Sequence, residues 1–232
     1  CALMASPESR ELAYANAFAI TNEATERGFI PNFGAAGDNK SRDRSQPPVG
    51  AMTFRELYRR YGEKWILEES FDTLLSWNRW FAKNRMLKNG TMCWGSDQIA
   101  QPFASFDVNN HQAAEYESGL DNSPMFDGAL FDPETGLMQL ADVGLTGLYC
   151  MDCEALADIA RILDRSEREE ILEILNDFTR EEDHSILISS HILSDLEKIC
   201  DYIAFLHQGK MLLFEEKDRL LEEYGMIHCS RE

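Results

Sequence analysis

The sequence predicts a mainly α fold over its first two-thirds, of the α/α barrel kind, followed by a small α/β segment. Three observations carry this. Apolar residues recur at helical spacing through residues 8–164, in stretches separated by long loops rich in Gly, Asn, Asp and Pro. After about residue 165 the order changes to helix, short apolar run, helix, hairpin and helix. Composition shifts at the same place: residues 1–164 hold 24 acidic and 14 basic residues and all four Trp, whereas residues 165–232 hold 17 and 8. The shorter part therefore carries nearly half of the net charge of -19.

Taken in order, residues 8–27 read as a helix with small and apolar residues on one side. Residues 53–61 and 64–84 give two more, the second with Ile66, Leu67, Phe71, Leu74 and Leu75 at helical spacing. Residues 107–116 and 152–163 add others, with loops at 28–50 and 117–136. Alternating helices and long loops suit a barrel whose loops at one end form the site. In the tail, residues 167–182 form an amphipathic helix with Ile171, Leu172, Ile174, Leu175 and Phe178 inward. Residues 184–190 read as a short buried strand and 193–200 as a helix. Residues 201–206 and 210–214 are strands joined by a Gln208-Gly209 turn, and 215–224 is a closing helix.

Composition excludes several classes. With 41 acidic against 22 basic residues, the surface repels nucleic acid and anionic membranes, so neither is an expected partner. No apolar run reaches the roughly 18 residues of a membrane span, and no signal peptide is evident. The six cysteines are irregularly spaced, and Cys150-Met151-Asp152-Cys153 is a lone CxxC without the second pair a structural zinc site needs. Packing on a helix face is the reading for that pair; no metal or cofactor is expected, and the default compartment is the cytoplasm. The chain opens Cys1-Ala2-Leu3-Met4 and reads as if cut from something longer.

The most informative stretch is Glu117-Ser118-Gly119-Leu120-Asp121-Asn122-Ser123-Pro124. Gly119 and Pro124 make a continuous helix unfavourable. A carboxylate on a loop at a helix end can project into a cleft and carry proton chemistry. Equally, Asp121 can form an Asx-type turn that caps the next segment.

This stretch closely resembles the acid-bearing motif of family 63 glycoside hydrolases, and the resemblance extends along the chain. Gly28-Phe29-Ile30-Pro31-Asn32 and Asp43-Arg44-Ser45-Gln46-Pro47-Pro48 resemble the family's early substrate-side loops. Ser76-Trp77-Asn78-Arg79-Trp80-Phe81 and Trp94-Gly95-Ser96-Asp97 resemble the next two, and residues 142–156 a following helix pair. The resemblance implies about half of an (α/α)6 toroid over residues 1–164, acting on glucose- or mannose-containing glycosides or oligosaccharides. It implies Asp121 as general acid, with Arg44, Gln46, Trp77, Asn78, Trp94, Asp97 and Glu117 on the substrate side. Arg44 and Gln46 are placed to hydrogen-bond sugar hydroxyls, and Trp94 offers a flat face to a pyranose ring. Glu117 is expected to orient the loop by accepting backbone hydrogen bonds.

Residues 165–232 carry a second resemblance. Ile186-Leu187-Ile188-Ser189-Ser190-His191, followed by Asp195-Leu196-Glu197-Lys198-Ile199-Cys200-Asp201, resembles the end of an ABC transporter ATP-binding subunit. There the His matching His191 is the switch residue at the nucleotide γ-phosphate, and a transporter permease is the implied partner. Both resemblances are partial. No Gly-x-x-x-x-Gly-Lys-Ser/Thr occurs to cradle phosphates. An inverting glycosidase also needs a base carboxylate, and none matches the family's. The expectation is a glycosidase-like chain that binds carbohydrate or is inactive. An ATP-binding module, and a fusion of two fragments without joint function, are the alternatives, with the junction at residues 163–170.

Overall fold

In the computed structural model the described residues are 1–35, 39–98, 110–179, 185, 187 and 200–223. The chain divides into two units, Cys1–Ile186 and Leu187–Glu232. The first is mainly helical, as its periodicity predicts, and its described residues form no closed barrel. Its helices are Ala2–Ala5 (α1), Arg10–Thr21 (α2), Gly50–Tyr61 (α3), Trp65–Asn84 (α4), Asn110–Ser118 (α5), Val143–Leu163 (α6) and Arg168–Thr179 (α7). Between them lie two antiparallel pairs of two-residue strands, Gly34–Ala35 with Asn39–Lys40 (β1, β2) and Phe131–Asp132 with Leu137–Met138 (β3, β4).

Local chemistry sets the helix ends. Ser9 accepts from Leu12 N to open α2, and Asp142 accepts from Leu145 N to open α6. Gly62, at φ 73°, closes α3 behind Arg59 and Arg60, whose charges suit a helix C-terminus. No local side chain caps α3; the N–H of Ala51 in its first turn instead donates to Asp152 of α6, at 3.1 Å.

The core is built around α6, which packs on α3, α4 and α7. From Ala155 to Ala160 every side chain of α6 is buried. Its alanines let the neighbouring helices approach closely while Leu156 and Ile159 fill the gaps. Opposite them, α4 contributes Ile66, Leu67, Phe71, Leu74 and Phe81. The first turns of α7 belong to this core: Ile171 and Leu172 are buried, and Arg79 of α4 pairs bidentately with Glu170.

The second unit shows an antiparallel hairpin, Tyr202–His207 (β5) with Lys210–Glu216 (β6), then the helix Lys217–Glu223 (α8). Its turn is Gln208-Gly209, both at positive φ, as the sequence predicts. Apart from residues 185, 187 and 200, the strand read at residues 184–190 and the helix read at 193–200 lie outside the described residues, as does His191.

Candidate functional site

The sequence ends α4 at Asn84, and the next residue, Arg85, turns inward. Its side chain has no exposed surface. Nε and Nη2 donate to the two carboxylate oxygens of Glu117, at 2.6 and 3.0 Å. Nη1 donates to Asp97 Oδ1 at 2.8 Å and to the Asn84 carbonyl at 2.9 Å, and Nη2 also reaches the Asp43 carbonyl at 3.2 Å. The guanidinium carbon lies 4.6 Å from the Trp80 ring centroid.

Glu117 is equally buried and collects two further donors, the backbone N–H groups of Ser45 and Gly95, each at 2.7 Å. Burial pushes its pKa up, while Arg85 and the backbone N–H groups pull it down. Four donors on two oxygens leave no acceptor for a carboxylic proton, so the group is a carboxylate. For Arg85, burial works against the charge, but Glu117 and Asp97 outweigh it and the pKa is raised.

Around this pair the loops are tied to one another. Asp97 carries the chain of charges outward to Arg27 Nη1, at 2.6 Å, and its N–H donates to the Asp43 carbonyl at 2.7 Å. Asp43 accepts from Arg44 Nη1 on both oxygens, at 2.9 and 2.7 Å, and from Ser96 Oγ at 2.8 Å. Arg44 is only 9% exposed, and its guanidinium lies 5.7 Å from the Tyr116 ring centroid. Among the described residues its buried Nε has no hydrogen-bond partner. Gln46 Nε2 donates to the Asn32 carbonyl, and Asn32 Nδ2 donates to the Tyr116 carbonyl at 3.0 Å. Arg44 and Gln46 thus both connect to the last turn of α5.

Asp121 follows that turn. α5 stops at Ser118 because Gly119 takes φ 70° and Ser118 Oγ accepts from Leu120 N at 2.9 Å. Ser123 closes the loop: its N–H donates to the Leu120 carbonyl at 2.8 Å, and its Oγ caps the 3-10 turn Pro124–Phe126. Between these anchors the Asp121 side chain is exposed.

Three expected sugar contacts lie in the core. Trp94 is 4% exposed, with Nε1 donating to Asp142 Oδ2 at 2.5 Å. Trp77, also 4% exposed, donates to Ser45 Oγ at 2.7 Å. Asn78 bridges α4 and α6, donating to Asp152 Oδ2 at 3.0 Å and accepting from the Tyr149 hydroxyl at 3.3 Å. Asp152 takes only neutral donors, from Asn78 and Ala51, and burial pushes its pKa up to about 7 against them. Cys150 and Cys153 of the CxxC are free, and burial raises both thiols, Cys150 to about 11. Among the described residues no group of three or more His, Cys, Asp and Glu is placed to hold a metal ion, and no helix is long and apolar enough to cross a membrane.

Residues 8–179 match the mannosylglycerate hydrolase MGH1-like glycoside hydrolase domain. The chain belongs to this family. Solved structures give the glycoside hydrolase domain the same fold. A family 63 mannosylglycerate hydrolase of Thermus thermophilus in complex with glucose matches 75% of this chain and 51% of its own, at 20% identity and TM-score 0.55. The same enzyme in complex with Tris matches 79% of this chain and 57% of its own, at 18% identity and TM-score 0.56. The chain thus spans about half of these structures. Short segments also resemble ABC transporter proteins. The ATP-binding protein YtrB of Bacillus subtilis is 39% identical over 68 residues, 29% of this chain and 23% of YtrB. The lantibiotic transport ATP-binding protein SrtF of Streptococcus pyogenes is 44% identical over 50 residues, 22% of this chain and 21% of SrtF.

The domain therefore brings Arg44, Gln46, Asp97, Glu117 and the Asp121 loop together around one buried ion pair, with Trp77 bonded to Ser45 and Trp94 next to Gly95 behind it, while Asn78 ties α4 to α6. Sequence reasoning missed Arg85 and Asp43. Arg85 gives no local signal, since a lone Arg after a helix reads as a solvated end. Asp43 stands beside Arg44 in the loop of residues 43–48, and its charge was the available signal.

Proposed function

We propose that the domain binds a glucose- or mannose-containing glycoside with Asp121 facing the glycosidic oxygen, where a general acid would stand. The observation that carries this is the position of Glu117. It stands four residues before Asp121 and takes the backbone N–H groups of the two loops bearing Arg44, Gln46 and Asp97. The exposed carboxylate and the two polar loops thus spring from one fixed point. Family membership and the glucose bound by a relative of the same fold support sugar as the ligand class. Arg44, with an unpartnered Nε, and Gln46 are the proposed contacts to sugar hydroxyls. Inverting hydrolysis also requires a base carboxylate about 6.5–9.5 Å from the acid. Residues 1–232 offer no counterpart of the family's base, so the reading is binding without turnover.

Titration with glucose, methyl α-mannoside and mannosylglycerate tests this. The expected result is saturable binding at roughly millimolar Kd, weakened on the order of tenfold in Arg44→Ala and in Asp121→Asn. No binding at tens of millimolar, or equal binding by both variants, contradicts it.

For the C-terminal segment, expected from residue 165 with the junction at 163–170, we propose an ABC ATPase-like piece that begins after α7, because α7 packs on α6 and the family match runs to residue 179. The identity of 39–44% over 50–68 residues to several ABC proteins supports it. Lacking a phosphate-binding loop, the chain should show no melting shift with ATP and magnesium. A saturable shift would contradict this.

A further inference from the structure

We infer that Arg85 and Glu117 are positioning residues, an ion pair that sets the three loops of the glycoside site. The inference rests on the proposed function for its ligand. Neither side chain has exposed surface, so neither touches a sugar. What they hold is the backbone of their neighbours. Glu117 takes the N–H groups of Ser45 and Gly95, and Arg85 donates to the Asp43 carbonyl and to the Asp97 carboxylate. These contacts fall on the loop carrying Asp43, Arg44 and Gln46 and on the loop carrying Asp97. The third loop, with Asp121, leaves α5 directly after Glu117.

Stability alone does not account for the pair. A buried ion pair replaced by apolar groups of similar volume is often neutral or more stable. Apolar groups, however, cannot accept the N–H groups of Ser45 and Gly95 or donate to the Asp43 carbonyl. Lysine would keep the charge but not the fork that serves Glu117, Asp97 and Asp43 together. The approach at Gly95 belongs to the same fit: a Cβ there would lie 2.8 Å from the Gly136 carbonyl oxygen and 3.0 Å from Arg85 Nε.

Two variants of the full chain test this: Arg85→Lys, and the double variant Arg85→Met with Glu117→Gln. Each is followed by thermal melting, by amide hydrogen exchange without sugar, and by titration with methyl α-mannoside. Both variants are expected to melt cooperatively. In both, amides of residues 43–46, 94–97 and 119–122 should exchange on the order of tenfold faster, with those of α6 unchanged. Methyl α-mannoside affinity should fall on the order of tenfold. Wild-type exchange rates in all three loops of a folded variant would overturn the inference, as would acceleration spread evenly over the unit. Should the double variant fail to fold, Arg85→Lys decides by the same readout. Exchange is read without sugar, so a wild-type chain that binds no glycoside would sink the proposed function while the loop result still stands or falls by itself.

Discussion

Two buried carboxylates in this domain face opposite electrostatic conditions. Glu117 has a guanidinium and two backbone N–H groups; Asp152 has two neutral donors and no ion-pair partner among the described residues. Removing half of a buried ion pair strands the other charge, at a cost of about 3–5 kcal/mol. Glu117→Gln should therefore lower stability by that order in urea unfolding, and the Arg85→Met, Glu117→Gln double variant should recover much of it. Asp152 behaves differently. Its folded pKa, pushed up to about 7 by burial, lies above the unfolded carboxylate value. The folded state thus holds a proton that the unfolded state releases between about pH 4 and pH 7. Its contribution to stability is greatest below that window, declines as pH rises through it, and is flat above. Asp152→Asn, with the Asn78 amide turned to face it, should remove the decline. The melting-temperature difference, variant minus wild type, should become more positive from pH 5 to pH 8; a pH-independent difference would count against a raised pKa.

At the scale of elements, the helix ends make similar demands. Asp142 caps α6 and also receives the Trp94 indole N–H, so Asp142→Ala should cost about 1–2 kcal/mol. Equilibrium unfolding measures it, and a change within error would show that the cap is dispensable. The sequence reading of these elements succeeded where one strong local pattern decided the outcome. The apolar period of residues 64–84 identified α4, and Gly119 with Pro124 set the break after α5. Periodicity placed the start of α6 at residue 152 and the resemblance read residues 142–156 as a helix pair, whereas a single helix runs from Val143 to Leu163. Gly144 and Gly147 dilute helix propensity there, and the informative residue was the Asp142 cap. It started α3 at residue 53 rather than Gly50, because the carboxylate serving that helix end comes from Asp152, about a hundred residues away. Arg85 was illegible for the same reason, since all that marks it as buried is its distant partners.

Across the whole molecule, the two units differ in how much they bury. The α6 segment around Leu156 is fully enclosed, while Phe205, Leu206, Met211, Leu212 and Phe214 of the hairpin are exposed. Isolated two-stranded hairpins are marginally stable in water. Amide exchange should therefore run orders of magnitude faster in β5 and β6 than in α6. Equal protection of both would mean that the hairpin is stabilised as strongly as the helical core. The family's fold and the helical period were both legible from the chain, because each is written in many residues at once. The burial of Trp77 and Trp94 was not, since both are placed by tertiary hydrogen bonds to Ser45 and Asp142. The central claim, that Asp121 faces a glycosidic oxygen, is tested most directly by a crystal structure of the chain with mannosylglycerate or methyl α-mannoside. The predicted result is a bound sugar with its glycosidic oxygen about 2.6–3.2 Å from an Asp121 carboxylate oxygen and its hydroxyls against Arg44 and Gln46. A sugar seated elsewhere, or one with Asp121 turned away from that oxygen, would contradict it.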